Sequence, residues 1–242
     1  MDKKLVIIPT YNEKENAEKI VRAVMGLPDG YNILIIDDGS PDGTAQIITG
    51  LQEEFKDRLF LIQRKGKLGL GTAYITGFKW ALEHGYDYIF EMDADFSHDP
   101  ADLHRLYEAC HTDGADMSIG SRYCNGVNVV NWPMSRVLMS WGASRYVHFI
   151  LGFPVHDCTA GFVCYTRRVL EAIDFERIKM KGYGFQIEMK YTVYKLGFTI
   201  KEVSVIFRDR TEGKSKMSSS IFGEAFWGVI KLRFRKISPD KS

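Results

Sequence analysis

Glu91-Met-Asp-Ala-Asp-Phe-Ser-His-Asp-Pro100 follows the apolar run Tyr88-Ile-Phe90 and holds two aspartates one residue apart, Asp93 and Asp95. In a strand, residues i and i+2 point to the same side. If a strand is just ending here, both carboxylates face one cleft. Two carboxylates that close repel each other unless a positive group lies between them. A divalent ion with hard oxygen ligands serves, and Mg²⁺ bound by one or two carboxylates keeps its other positions for substrate phosphates. The alternative is that Asp93 and Asp95 only cap the helix that follows. Asp99 is the expected N-cap of that helix and Pro100 its first residue.

Upstream, strand and helix patterns alternate. Leu5-Val-Ile-Ile-Pro9 is a short apolar run ended by proline, as in a buried parallel strand. Ala17, Ile20, Val21 and Val24 then recur at helical spacing. Asn32–Asp38 is a second strand, Gly39-Ser-Pro-Asp-Gly43 a turn into a second helix, and Leu59-Phe-Leu-Ile62 a third strand. A third helix runs from about Gly71 to His84. This alternation predicts a parallel, doubly wound α/β sheet with right-handed crossovers. Ligands in such sheets bind beyond the carboxyl ends of the strands. Pro9–Glu13, Asp37-Asp38 and Asp93-x-Asp95 all fall at such ends, which points to one site. Gly66, Gly69, Gly71 and Gly77 do not make a dinucleotide loop, because Tyr74 stands where the third glycine belongs. A glycine-rich helix start approaching a ligand or another strand is the expectation there.

Downstream, Asp116–Tyr123 is a strand ending in Arg122, and Cys124–Pro133 is read as loop. A helix is predicted over Met134–Leu151, with Arg136 near its start. Asp157–Tyr165 reads as turn then strand, Tyr183–Lys190 opens a helix, and Phe198–Phe207 is a final strand. Phe207–Ser220 is loop-like. From Ser218 a helical face of Ile221, Phe222, Ala225, Phe226, Val229 and Ile230 leads into Lys231, Arg233, Arg235 and Lys236. That helix either packs on the domain or lies on an anionic membrane.

The 242 residues suffice for one large domain or a domain with an appendage. The net charge of +1 conceals an asymmetry: from Phe207 onward nine Lys/Arg stand against four acids, and the rest carries 23 against 27. A basic tail on an acidic body suggests an anionic partner at that end. The four cysteines form no Cys-x-x-Cys pair, and no signal peptide is evident, so reduced thiols in the cytoplasm are expected. No apolar stretch reaches the roughly 18 to 20 residues that span a bilayer.

The succession Ile8-Pro-Thr-Tyr-Asn-Glu13, Ile36-Asp-Asp-Gly-Ser-Pro-Asp-Gly-Thr44, Gly69-Leu-Gly-Thr-Ala73, Met92–Pro100, Gly120-Ser-Arg-Tyr123 and Gly213-Lys-Ser-Lys216 resembles family 2 glycosyltransferases of the GT-A fold. Asn131-Trp-Pro133 and Arg136 make it most similar, within them, to dolichyl- or polyprenyl-phosphate mannosyltransferases. The resemblance covers about residues 5 to 217. It implies a Rossmann-like, mostly parallel sheet with helices on both faces. Residues 1–217 form the catalytic domain, and 218–242 a C-terminal amphipathic basic helix and tail.

It also implies roles. Pro9, Tyr11, Glu13, Ile36, Asp38 and Ala94 hold the donor nucleotide of GDP-mannose. Asp93 and Asp95 hold Mg²⁺ or Mn²⁺ against its diphosphate. Arg122, Arg136, Arg210 and Lys216 bind the acceptor and donor phosphates, with Asp95, Arg122 and Arg136 catalytic. Ser97 stands where some relatives carry glutamine as a third metal ligand, and a hydroxyl is a poorer one. Trp141 stands where others carry arginine, and the transmembrane helices of some relatives are missing. The implied partners are dolichyl or polyprenyl phosphate, the cytoplasmic face of an anionic membrane, and a small membrane-anchoring subunit or a second copy of the chain. No nucleic acid is implied.

A phosphate acceptor has its second pKa near 6 and is mostly dianionic at neutral pH, so it needs no strong general base. This suits a sequence without a Ser-His-Asp or Cys-His set. The work is then electrostatic: neutralising the departing diphosphate and holding two anions in line. In-line attack inverts the anomeric centre, so the resemblance predicts a β-linked product. Several assignments have plainer alternatives. Arg122 and Arg136 could be surface ion pairs. Gln186 and Glu188 could reach the sugar or acceptor, or could cap their helix. His98 could be a metal ligand or a solvated side chain. Two other functions stay open: a sister enzyme using UDP-glucose or another sugar nucleotide, and a non-catalytic nucleotide-binding scaffold.

Overall fold

The computed structural model describes residues 2–209 and 219–239, with 219–225 described by main chain alone. Seven strands form one sheet: β1 (Lys4–Thr10), β2 (Asn32–Asp37), β3 (Leu59–Gln63), β4 (Tyr88–Glu91), β5 (Met117–Ser121), β7 (Val163–Thr166) and β8 (Ile200–Ser204). Their order across the sheet is β3-β2-β1-β4-β7-β5-β8. Strands β1 to β4 are parallel to one another, as are β5 and β8, whereas β7 is antiparallel to both of its neighbours. The sheet is thus mostly parallel, as the resemblance implied, with β7 running against its neighbours. That strand enters from the carboxyl ends of β4 and β5.

Strand alternation assigns the two cores. Val6, Ile8, Ile33 and Ile35 point to one face and pack with Ala17, Ile20 and Val24 of α1 (Lys14–Met25), Ile48 of α2 (Thr44–Glu54) and Leu106 of α4 (Asp102–His111). Leu5, Ile7, Leu34 and Ile36 point to the other. There they meet Phe78 of α3 (Leu70–Glu83), Val147 of α5 (Met134–Leu151) and Phe185 of α7 (Tyr183–Lys195). The short α6 (Arg167–Glu171) follows β7. The glycines of α3 permit close approach: a Cβ on Gly71 would lie 2.7 Å from the Phe185 ring, and one on Gly77 2.8 Å from Ile7.

Three boundaries differ from the sequence reading. The loop over Cys124–Pro133 contains β6 (Val129–Val130), which pairs in parallel with β9 (Phe207–Arg208). The single final strand is thus two, because the chain leaves the main sheet after Ser204. Helix α4 begins at Asp102, and the Asp99 carboxylate accepts from the Ala101 N–H at 3.0 Å one turn earlier.

The last helix, α8 (Ser219–Phe234), packs on the domain. Val229 and Leu232 are buried, and Phe226 stacks on Tyr146 of α5 at 4.7 Å. Arg233 donates to the Ile150 carbonyl at 2.8 Å, and Arg235 pairs with the buried Glu188 at 2.5 Å. Of Lys231, Arg233, Arg235 and Lys236, the two arginines are therefore committed inward. No helix among the described residues is long and apolar enough to cross a membrane. Arg210 and Lys216 lie outside the described residues, as do the side chains of Ile221, Phe222 and Ala225.

Candidate active site

A cleft opens at the carboxyl end of the sheet between β4, β5, the start of α5 and the start of α7. Asp93, Ser97, Arg122, Arg136 and Gln186 line it. Residues from four separate stretches of the sequence thus meet in one place. Apolar Leu70, Met139, Ala143, Ile187 and Phe207 line it as well.

Asp93 follows β4 and is half-buried, while Asp95 is buried and lies deeper. The Asp95 carboxylate accepts from the Ser97 N–H at 3.1 Å and from the Ser97 hydroxyl. Among the described residues no group of three His, Cys, Asp or Glu side chains is arranged to hold a metal. The chain therefore offers two carboxylates, Asp93 in the cleft lining and the buried Asp95 two residues on. That donor set suits a hard divalent ion whose other ligands are water and phosphate oxygen. The local field points the same way. Burial holds the Tyr74 phenol well above its ordinary pKa, and Asp93, Glu91 and Asp95 push it further up. A cation would relieve this concentration of negative charge.

His98 is not solvated, although it lines the cleft. It is buried, stacked on Phe162 at 4.8 Å and edge-on to Phe207 at 5.3 Å. Burial holds its pKa at about 4, with Asp95 pulling it up and Arg122 pushing it down, so the ring is neutral near pH 7.

Arg122 leaves β5 and is locked by Asp157, which sequence reasoning did not single out. Its Nε donates to Asp157 Oδ2 at 2.7 Å, its Nη2 to Asp157 Oδ1 at 2.6 Å and to Thr159 Oγ1 at 2.8 Å, and its own N–H to Oδ2 at 3.0 Å. Both side chains are almost fully buried. Burial pushes the Asp157 pKa up, but Arg122 outweighs it and the net shift is downward. Among the described residues Nη1 of Arg122 makes no hydrogen bond, so its two N–H groups can serve a ligand in the cleft. Arg136 sits 4.0 Å from the centroid of the Trp132 ring and pairs with Asp209 at 2.8 Å. Neither arginine is a simple surface ion pair.

The residues expected at the nucleotide lie beyond this cleft, at the ends of β1 and β2. The Asp38 carboxylate accepts from Arg64 Nε at 2.6 Å and from the Leu68 N–H at 3.2 Å. Arg64 reaches on to Thr72 at 2.8 Å and the Gly69 carbonyl at 3.2 Å, tying the glycine-rich loop to β2. Arg64 was another residue the sequence did not flag, since an arginine just after a strand has no distinguishing spacing. The Tyr11 ring carries the Lys67 ammonium 4.9 Å from its centroid. The Glu13 carboxylate accepts from Asn16 at 3.2 Å, and Pro9 occupies the end of β1. The side chains of Ile36 and Ala94 are buried in the apolar cores, so only their main chains can face a ligand.

Gln186 and Glu188 separate in role. Gln186 lines the cleft. Glu188 faces away and is fully buried, accepting from the N–H groups of Lys179 at 2.9 Å and Met180 at 2.6 Å besides its pair with Arg235. Trp141, on α5, is half exposed.

Comparison with known proteins matches residues 5–174 to the family described as glycosyl transferase family 2. The polyprenol monophosphomannose synthase of Mycolicibacterium smegmatis is 46% identical over 231 residues, covering 96% of this chain and 87% of that protein. The undecaprenyl-phosphate mannosyltransferase of Micrococcus luteus is 44% identical over 227 residues, covering 94% and 92%. Among solved structures, glucosyl-3-phosphoglycerate synthase from Mycobacterium tuberculosis with phosphoglyceric acid superposes with a TM-score of 0.72 at 17% identity, covering 99% of this chain and 82% of that one. The same enzyme with Mn²⁺, uridine diphosphate and phosphoglyceric acid also gives 0.72, at 18% identity and coverage of 99% and 80%. At that identity the likeness concerns the fold, and it agrees with the GT-A expectation. The chain belongs to glycosyl transferase family 2.

Proposed function

We propose that this protein transfers mannose from GDP-mannose to a polyprenyl phosphate, giving a β-mannosyl phosphate lipid and GDP. The observation that carries this reading is the composition of one cleft. Asp93, Arg122 and Arg136 line it together with the apolar Leu70, Met139, Ala143, Ile187 and Phe207. A donor diphosphate, an anionic headgroup and an isoprenoid each have a matching surface there. The names of the two mannosyltransferase relatives support the same acceptor class.

Asp93 and Asp95 would hold Mg²⁺ or Mn²⁺, and such an ion, when bound, neutralises the charge developing on the departing diphosphate. The remaining work belongs to the chain. Arg122, held rigid by Asp157, presents Nη1 to the acceptor phosphate. Arg136, seated on Trp132, adds a second planar donor. Both offset repulsion between the incoming phosphate and the donor. The acceptor oxygen attacks the anomeric carbon from the face opposite the diphosphate. Its charge is neutralised in the new bond, so no base is needed. Arg210 and Lys216 belong to the same phosphate-binding group in this reading.

The protein contacts the cytoplasmic face of a membrane through α5 and α8. Met134, Leu138, Trp141 and Phe149 of α5 and Trp227 and Phe234 of α8 are exposed. Amphipathic surfaces of this kind bind at the lipid interface. A small anchoring subunit or a second copy of the chain is the competing occupant, and flotation on liposomes without added protein separates the two.

The decisive experiment follows labelled mannose from GDP-mannose into organic-extractable polyprenyl phosphate, with Mn²⁺ and with chelator. Metal-dependent label in the lipid is expected, with Asp95→Asn lowering the rate by at least ~10²-fold. No label, with UDP-glucose active in the same assay, moves the donor. Full activity of Asp95→Asn removes the metal assignment.

A further inference from the structure

Beside the cleft lies a buried polar network, reaching its lining at Gln186, that the proposed chemistry does not use. Glu91 ends β4, and Gln186 and Lys190 lie one turn apart on α7. All three are at most 2% exposed. Gln186 Nε2 donates to Glu91 Oε2 at 2.5 Å, and Lys190 Nζ donates to Gln186 Oε1 at 3.0 Å. Lys190 also donates to the Ala160 carbonyl at 2.6 Å and the Gln186 carbonyl at 3.4 Å. Three acceptors around one nitrogen are the full complement of an ammonium group. The Tyr165 hydroxyl approaches the other Glu91 oxygen at 3.4 Å.

The consequence concerns one amide. A glutamine side chain can turn over at little cost, because its oxygen and NH₂ have nearly the same shape. Here a turn would set NH₂ against an ammonium and oxygen against a carboxylate. Opposite charges at its two ends therefore dictate the orientation of Gln186. After both internal bonds the amide retains one N–H and one oxygen lone pair. Gln186 lines the cleft beside Ala160 and Gly161, and Ala160 is itself held by Lys190. A hydroxyl group, donor and acceptor at once, is the complement of that pair. Stability alone does not account for the network, since a buried ion pair is often matched or bettered by apolar residues of similar volume.

We infer that Gln186 reads one hydroxyl of the transferred sugar, and that Glu91 and Lys190 are positioning residues that set the sense in which it does so. This rests on the transferase reading above. It adds a specificity contact on the sugar rather than on either phosphate.

The test uses the full chain and two variants, Gln186→Ala and the double variant Glu91→Gln/Lys190→Met. The double variant removes both charges together and leaves no single buried charge unpaired. Donors are GDP-mannose and its 2-, 3-, 4- and 6-deoxy forms. In the wild type, removal of one particular hydroxyl should lower kcat/KM by at least about tenfold. In both variants the penalty for that same position should shrink towards one. General loss of activity leaves such a ratio unmoved. If UDP-glucose proves the active donor, the deoxy series is run on it; the donor assignment then falls and the inference is still decided.

A second readout is independent of turnover. In protein labelled with [¹⁵N]glutamine, the side-chain signals missing from Gln186→Ala belong to Gln186. Their exchange with water should be slow in the wild type and at least about tenfold faster in the double variant. No deoxy penalty that Gln186→Ala abolishes would overturn the sugar contact. A double variant with wild-type penalty and wild-type exchange would overturn the positioning role.

Discussion

Asp157→Asn is the most informative single change, because it removes one charge and almost no volume. Asp157 accepts three hydrogen bonds from Arg122, two at Oδ2 and one at Oδ1. An asparagine can offer its oxygen at the Oδ2 position and keep two of them. Its NH₂ then faces Arg122 Nη2, donor against donor. The guanidinium, with a side chain only 8% exposed, loses its counter-charge. Leaving one member of a buried pair uncompensated costs about 3–5 kcal/mol. For a chain of this size that lowers Tm by roughly 10 °C. Urea titration and calorimetry measure it directly. With the guanidinium no longer clamped, kcat should fall by ~10²-fold, the scale expected for a misplaced catalytic group. Arg122→Met/Asp157→Leu provides the control: it should melt well above Asp157→Asn yet be inactive. A Tm for Asp157→Asn within about 2 °C of the wild type would refute the reasoning, since the ion pair would then not be what holds Arg122.

Other substitutions and conditions follow from the same geometry. Gly71→Ala would drive a methyl to 2.7 Å from the Phe185 ring, and overpacking of this kind should cost about 1–3 kcal/mol in urea titration. Arg235→Ser strips a counter-charge from buried Glu188 and should cost about 1–3 kcal/mol, less than a sealed pair because Arg235 is about a third exposed. Lys231→Ser and Lys236→Ser should leave stability unchanged and lower liposome flotation instead. Acid should unfold the protein with proton uptake. Burial pushes Asp116 and Asp157 up, but Thr199 and Arg168 on one and Arg122 on the other outweigh it, and both pKa values end below the ordinary range. A depressed folded pKa contributes stability above the unfolded value near 4, lost as pH falls through the folded value. Asp116→Asn should therefore flatten the stability–pH slope below about pH 4.

Much of the architecture was legible because it is written in local patterns. The apolar runs of β1, β2 and β4 and the helical period of α1 carry their own periodicity. The bounds of α5 agree with the reading at both ends, where Pro133 precedes the helix and Gly152 takes φ +66° after it. What escaped depends on partners distant in sequence. Asp157 is 35 residues from Arg122, and nothing in its neighbours tells a clamp from a turn. Lys190 looks like an ordinary charged position on a helix, yet α7 buries ten consecutive residues, from Gly184 to Val193. Its neighbours on every side are protein, so no amphipathic period exists to read. Glu188 sits two residues from Gln186 and so projects to another face, where it latches α8 rather than serving the cleft. The direction of β7 was hidden as well. A short apolar run does not say which way it will pair, and only the position of its neighbours decides.

That reversed strand has a consequence for how such a site can change. The chain leaves β5 at one end of the sheet and returns through β7 at the same end. Residues 122–162, with β6, α5 and the Asp157 clamp, thus form an excursion needing no crossover beneath the sheet. Such a segment is a cassette. It can lengthen, shorten or be exchanged while the strands it springs from keep their register. The half of the cleft built on β1, β2 and β4 has no such freedom, since each loop there is bound to a crossover helix. Diversity among proteins of this architecture should therefore accumulate in this segment, over a platform on β1, β2 and β4 that stays the same.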